Sequence, residues 1–321
     1  MKSTWLSTCV IACVALLCAT QATPDELSTA KTPAVDPMRG KDTGEVRDDN
    51  GLKMKLVWCP PGIFAMENYD VITEPAVEKE NQPSDDDDVD PKDEPAPHPQ
   101  RTERITPVKV FLTKGYWLGK CEVTQSEWKQ VMKTEPWQNQ QFTKEGADYP
   151  ATYISWDDAT DFCRKLTEQE RRAGRLPEGW EYTLPTEAQW ERACRARTET
   201  KFSFGDDDLK LGEYAWFRDN SWDVGEQYAH AVGQKKANPW GLCDMYGNVW
   251  EWCRDIYTDK LPGGRDPEVK PDEKIGDSPR VARGGCFTNG AARSLSAKRL
   301  RYSPGLCHFY GGFRVALCSV R

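Results

Sequence analysis

Thiols are the groups with the most chemical reach in this sequence. Twelve cysteines are present. Cys9, Cys13 and Cys18 lie in an apolar stretch at the N-terminus. Nine follow: Cys59, Cys121, Cys163, Cys194, Cys243, Cys253, Cys286, Cys307 and Cys318. A thiolate binds soft metals such as Cu(I), and it also serves as nucleophile or redox partner. No two cysteines have the Cys-x-x-Cys spacing, which argues against a zinc ribbon or a thioredoxin-type site. Nine is odd, so internal pairing leaves at least one thiol over. Histidine is scarce, with only His98, His230 and His308. A three-histidine iron or zinc centre would need all of them, and His98 sits in a Pro-rich acidic stretch, so none is expected. A Ser-His-Asp triad lacks its Gly-x-Ser-x-Gly context.

The acidic groups are concentrated in one place. The 321 residues carry a formal charge of −8. Residues 67–104 hold thirteen acidic and four basic side chains, so the rest of the chain is near neutral. That balance excludes a basic nucleic-acid surface. The segment cannot bury enough apolar area to offset its ordering entropy. A disordered, solvated acidic insertion is therefore expected over about 67–104. Calcium buffering or partner contact through Asp85–Asp88 is the functional alternative.

Residues 1–22 combine Lys2, an apolar run over Trp5–Leu17 and the small-residue end Thr20-Gln21-Ala22. This is a secretory signal-peptide pattern, so a secreted, periplasmic or cell-surface protein is expected. Val10-Ile11-Ala12-Cys13 is similar to a lipoprotein box, which leaves a lipid anchor open. No apolar run after residue 22 approaches the roughly 18–20 residues of a membrane span.

The elements that must hold any site in place are short. Thirteen Trp, 24 Gly and 22 Pro point to a loop-rich globule rather than a helical bundle. Residues 23–50 read as a flexible leader. Residues 51–321 read as one domain. Residues 51–58 alternate and predict a strand, with 63–66 as its hairpin mate and 108–117 as a further strand. Three capping boxes predict helices: Thr124 with Glu127, Ser155 with Asp158, and Thr186 with Gln189. These helices run to about Met132, Arg171 and Arg195. Trp128, Trp156 and Trp190 lie on them and read as packing residues. Short strands are expected at 213–220, 229–232, 249–253, 281–283 and 312–317.

Six phrases in order resemble the formylglycine-generating enzyme, or sulfatase-modifying factor, family. They are Leu118–Trp128 (LGKCEVTQSEW), Tyr149–Cys163 (YPATYISWDDATDFC), Tyr182–Cys194 (YTLPTEAQWERAC), Asn238–Cys253 (NPWGLCDMYGNVWEWC), Arg280–Gly285 (RVARGG) and Gly312-Phe313-Arg314. The resemblance implies an α+β, C-type-lectin-like domain, loop-rich with short strands and about three helices. It also implies an oxidase that converts a sulfatase cysteine to formylglycine with oxygen and copper held by two cysteines. At those positions stand Asn289 and Ser294, and Cys286 replaces the serine of a Gly-Gly-Ser. Amide and hydroxyl oxygens are hard donors, poorly suited to Cu(I). A displaced thiolate pair, Cys286 with Cys307, is the alternative that would keep the oxidase. The resemblance further implies a structural calcium held by Asp244, Gly247, Val249 and Glu251, and a second near Asn220 and Ser221. Cys163 matches a half-cystine position, and Cys318 is a shifted partner for it.

Three functions are weighed. The first is an exported, calcium-stabilised module without copper oxidase activity. It would bind a peptide or carbohydrate in a groove of Trp250, Cys286, Asn289, Arg293, Ser294, His308 and Tyr310. The second is a formylglycine-generating oxidase with relocated thiols, or another oxygen-dependent enzyme on the same fold. The third is a scaffold for an exported sulfatase or surface assembly.

Overall fold

A chain cut every few residues by Gly, Pro and Asn can make only short elements, and each needs its own stop and start signals. The computed structural model describes residues 36–73, 101–270 and 278–320, with the backbone alone described at 68–73 and 101–106. The signal-like segment at 1–22, the run Asp85–Asp88 and His98 lie outside the described residues. Two compact units are distinguished, residues 1–39 and 40–321. Of the first, residues 36–39 are described, as a turn closed by the Arg39 N–H donating to the Asp36 carbonyl at 3.0 Å.

The second unit begins with strands β1 (Val46–Arg47), β2 (Leu56–Cys59), β3 (Gly62–Thr73), β4 (Arg101–Leu112) and β5 (Tyr116–Gly119). Helices α1 (Gln125–Met132) and α2 (Trp156–Arg172) follow, then β6 (Trp180–Thr183), α3 (Glu187–Arg195) and a single turn α4 (Leu211–Tyr214). The remaining strands are β7 (Trp250–Ile256), β8 (Gly264–Arg265), β9 (Arg280–Arg283), β10 (Arg299–Tyr302), β11 (Gly311–Gly312) and β12 (Ala316–Ser319). A five-stranded antiparallel sheet has the order β1-β2-β5-β12-β6. A four-stranded sheet has the order β10-β9-β7-β11, with β11 parallel to β7. A third pairs β3, β4 and β8. The result is an α+β, C-type-lectin-like architecture with few helices and much irregular backbone.

All three capping boxes form. Thr124, Ser155 and Thr186 each accept from the backbone N–H three residues on, and Glu127, Asp158 and Gln189 each reach back to the cap. Each cap satisfies a helix-end N–H that would otherwise lack a partner, worth about 1 kcal/mol. The tryptophans on these helices pack. Trp128 stacks on Phe162 at 5.6 Å and meets the edge of Phe313 at 6.0 Å. The Trp156 indole N–H donates to the Cys253 carbonyl at 2.8 Å, and that of Trp252 to the Ile154 carbonyl at 2.9 Å.

Several expectations change. Residues 46–47, expected in the leader, form β1 and pair with β2, and residues 40–50 belong to the main unit, while residues 23–35 lie outside the described residues. The first strand occupies 56–59, since Asn50 and the 51–52 turn hold the preceding residues through Asn50 side-chain bonds to the Leu52 and Met54 N–H groups. Residues 63–66 pair with β4, not β2. That ladder runs on to Thr73 opposite Arg101, so the ends of the acidic segment are strand, and residues 74–100 lie outside the described residues. The strand expected at 108–117 breaks at 113–115 into β4 and β5. Residues 213–220 are helical turns instead of strand. Asn220 closes them, accepting from the Phe217 N–H at 2.9 Å and donating to the Ala215 carbonyl at 3.0 Å. Residues 229–232 form no strand, because the His230 N–H and carbonyl bond to the Asn248 side chain rather than to a ladder.

The core is fastened by two fully buried arginines, Arg283 and Arg314. Arg314 pairs with Glu251 through Nε to Oε2 at 2.6 Å and Nη2 to Oε1 at 2.5 Å. Its remaining donors reach the carbonyls of Gly119 at 2.9 Å, Lys120 at 3.2 Å and Cys243 at 3.0 Å. All five guanidinium N–H groups are thus used. The Trp190 indole N–H adds a bond to Glu251 Oε2 at 2.7 Å. Arg283 bonds to Glu191 and to the carbonyls of Ser296 and Lys298. Removing one member of a buried pair strands the other charge. Arg314→Met is expected to cost about 3–5 kcal/mol in urea unfolding, and adding Glu251→Leu to recover part of it. A cost below about 1 kcal/mol would show that the pair does not fasten the core.

Candidate binding site

Strands β7 and β10 and the loop before β11 present aromatic side chains to one narrow cleft, which Ala282 of β9 also lines. Trp250, Trp252, Ala282, Tyr302, Leu306, His308, Tyr310 and Gly311 line it. His308 stacks on Tyr310 with centroids 4.6 Å apart, and Tyr302 lies 6.2 Å from Tyr310. Burial holds the His308 imidazole below its usual range. Beyond Tyr310 the aromatic surface continues through Phe309 and Trp222 to the exposed Phe142. Of the groove residues expected from sequence, Trp250, His308 and Tyr310 meet here.

Cys286 adjoins this cleft from the turn after β9. That turn needs Gly284 and Gly285 at φ +100° and +76°, and a Cβ on Gly285 would fall 3.0 Å from both the Arg293 carbonyl and Ser294 Oγ. The buried Cys286 thiol contacts Thr288 Oγ1 at 3.1 Å and Asn289 Oδ1 at 3.3 Å. Burial pushes it up to about 11, so it stays a thiol at neutral pH. Asn289 is half-buried, Arg293 is exposed, and Ser294 is fully buried with no hydrogen-bond partner for its hydroxyl. Cys307 is exposed and sits beside Ser155 and Asp158 at the start of α2. Its thiol donates weakly to the Gly305 carbonyl at 3.7 Å, so it makes no pair with Cys286.

The family model for the sulfatase-modifying factor enzyme 1-like domain matches residues 45–318. The chain belongs to that family. A formylglycine-generating enzyme of Streptomyces coelicolor is 30% identical over 183 residues, covering 53% of this chain and 52% of the relative. The chain spans about half or less of the length of the first curated relatives it matches. Among solved structures, Treponema denticola variable protein 1 is similar with a TM-score of 0.60 at 25% identity, covering 82% of this chain and 94% of that one. PvdO from Pseudomonas aeruginosa has a TM-score of 0.63 at 20% identity, covering 87% and 99%, and shares the fold.

The residues present do not fit the family's copper. Asn289 and Ser294 supply no thiolate, Cys286 is protonated, and Cys307 is bound elsewhere. The calcium sets fit only in part. Asp244 is buried and its Oδ1 has no partner, while Oδ2 accepts from the Gly233 N–H at 2.7 Å. Glu251 is not free as a ligand, because both its oxygens are taken by Arg314 and Trp190. Asn220 is spent on its own turn, and Ser221 Oγ donates to the Glu226 carbonyl at 2.7 Å. Among the described residues, no three His, Cys, Asp or Glu side chains form a metal-binding group.

The nine described cysteines are all free thiols. The shifted bridge Cys163–Cys318 is therefore not formed. Cys318, on β12, accepts instead from the Gln189 amide on α3 at 3.5 Å. His230 stacks on Trp216 at 3.8 Å and bonds to Glu226 at 2.8 Å.

Sequence reasoning missed Tyr302, Trp252 and Leu306 in the cleft, which belong to no quoted phrase except Trp252. It also missed Glu122, within the CEVT phrase. Both Glu122 oxygens are buried without a donor, and Asp244 faces them. Burial first, then the Asp244 and Glu251 charges, push Glu122 well above the usual carboxylate range. Burial likewise raises Asp244 to about 6, so at neutral pH Glu122 holds a proton while Asp244 is largely ionised.

Two outcomes follow from these geometries. Chelation with excess EGTA is expected to leave the melting temperature unchanged. A fall of several degrees reversed by Ca²⁺ would return calcium to the Asp244 region. Glu122 has a folded pKa raised above its unfolded value, so its share of stability is present at pH 4 and lost as pH rises. Glu122→Gln is thus expected to gain stability relative to the native chain between pH 4 and pH 7, read as urea midpoints. A difference independent of pH would refute the proton held on Glu122.

Proposed function

We propose that this protein is an exported binding module of the sulfatase-modifying factor family, working through its aromatic cleft and not through copper oxidation. The observation that carries the reading is the chemistry at the oxidase positions. The two expected thiolates are an amide and a closed-off hydroxyl, while the neighbouring cleft keeps its aromatic wall. Aromatic faces with a few polar tips suit a peptide or a sugar ring. The family's name makes a segment of an exported sulfatase the first peptide to try. The charge that calcium would meet at Glu251 is met here by Arg314.

The runner-up, an oxidase with a displaced thiolate pair, needs two converging thiolates, and Cys286 and Cys307 each bond to separate groups. One experiment separates the two. The full chain is loaded with Cu(I), mixed with a cysteine-bearing sulfatase peptide, and followed by mass spectrometry. In parallel it is probed on peptide and glycan arrays. The expected result is an unmodified peptide and an array ligand whose affinity falls at least about tenfold in Tyr310→Ala, roughly 1.4 kcal/mol. Formylglycine product, or binding indifferent to Tyr310, overturns the proposal.

A further inference from the structure

We propose that Cys121 and Cys243 form a redox pair that closes to an intrachain disulfide. Cys121 follows β5, and Cys243 lies in the loop that leads to β7. The two segments are held against each other: the Cys243 N–H donates to the Lys120 carbonyl at 2.9 Å. The buried Arg314 guanidinium grips both sides, through the Gly119 and Lys120 carbonyls on one and the Cys243 carbonyl on the other. The two thiols are near enough that each perturbs the other. Other described thiols bond elsewhere, Cys59 to the Val57 carbonyl and Cys194 to the Met245 carbonyl, for example.

Access is one-sided. Cys121 lines a surface cleft with Lys53, Lys55, Lys120, Glu127 and Asp148, whereas Cys243 is buried. An oxidant therefore meets Cys121 first. Cys243 lies behind it, on the segment that the Lys120 carbonyl and Arg314 hold in place, and supplies the second, resolving attack.

The oxidant is a low-molecular-weight disulfide of the glutathione class. The Cys121 sulfur attacks one of its sulfurs, and the Cys121 proton goes to the departing thiolate. The Cys243 sulfur then attacks Cys121 Sγ, expels the second glutathione thiolate, and its proton follows. The protein loses two hydrogens and two electrons, and the glutathione disulfide becomes two thiols.

The test uses the full chain. It is incubated with glutathione disulfide, alkylated, and cut with trypsin. The expected product is a reducible cross-link between the peptide Cys121–Lys129 and the peptide Ala237–Arg254. The cross-link persists in Cys253→Ser and disappears in Cys243→Ser. Oxidation is expected to raise the melting temperature by roughly 5–10 °C, because the bridge closes a long loop. Cys121→Ser, at the more open position, serves as the folded control: it should melt like the reduced chain and show no rise on oxidation. Alkylation of both Cys121 and Cys243 after oxidation, or a link from Cys121 to a different cysteine, overturns the pair.

Discussion

The buried Arg314–Glu251 pair constrains nearly everything around the site. A guanidinium taken out of water is tolerated only when every N–H finds an acceptor. Here the acceptors are Glu251 on β7, the Gly119 carbonyl at the end of β5, and the Lys120 and Cys243 carbonyls of two irregular loops. The demand of one cation therefore fixes the exit of β5, the loop through Cys243 and the C-terminal segment relative to one another. Trp190 extends the same network to α3 through its indole N–H. In a domain so rich in irregular backbone, such polar clamps replace the long ladders that would otherwise set loop positions.

Helix starts were the most legible part of the sequence, because a capping box is a local contract between residues three apart. Thr124, Ser155 and Thr186 behave as their spacing says, whatever surrounds them. The buried strands β7 and β9, expected at 249–253 and 281–283, were legible as short segments set between Gly, Pro and Asn turns. Residues 213–220 and 229–232 were not. Their pattern suits a strand, but Asn220 and Asn248 offer their backbones side-chain partners, and no neighbouring strand competes. The partner of residues 63–66 was equally hidden, because it lies across the acidic segment and pairing at that separation leaves no local trace. In the site, Trp250, His308 and Tyr310 could be named from family phrases and composition. Tyr302 could not, since only the β9–β10 pairing brings it to the cleft.

The loss of the copper positions is more than a change of two donors. Gly284 and Gly285 turn the chain so that Ser294 is packed under the turn, fully buried and touching the space where a Gly285 side chain would be. Asn289 in turn accepts from Cys286, so the only thiol in this corner is occupied and protonated. Donor softness, charge state and access all change together. The aromatic wall comes mainly from β7, β10 and the loop before β11, with Ala282 of β9 beside it, and Cys286 meets it at Trp250. Fold and function are separable in this way: the donors of the turn and the aromatic faces of the cleft come from different residues.

The acids beside Arg314 show how tightly this corner is balanced. One guanidinium faces Glu251, Glu122 and Asp244, all buried. Glu251 takes the cation by bidentate contact, so the other two carboxyls have no full counter-charge left. Burial and mutual repulsion then favour their protonated forms, with Asp244 at about 6 and Glu122 higher. At neutral pH Glu122 keeps its proton, while Asp244, at about 6, is largely ionised. A divalent ion placed there would have to displace the Glu122 proton, with Arg314 opposing it and the ionised Asp244 drawing it. The charge that shapes the loops therefore also sets the balance any cation would meet in this corner.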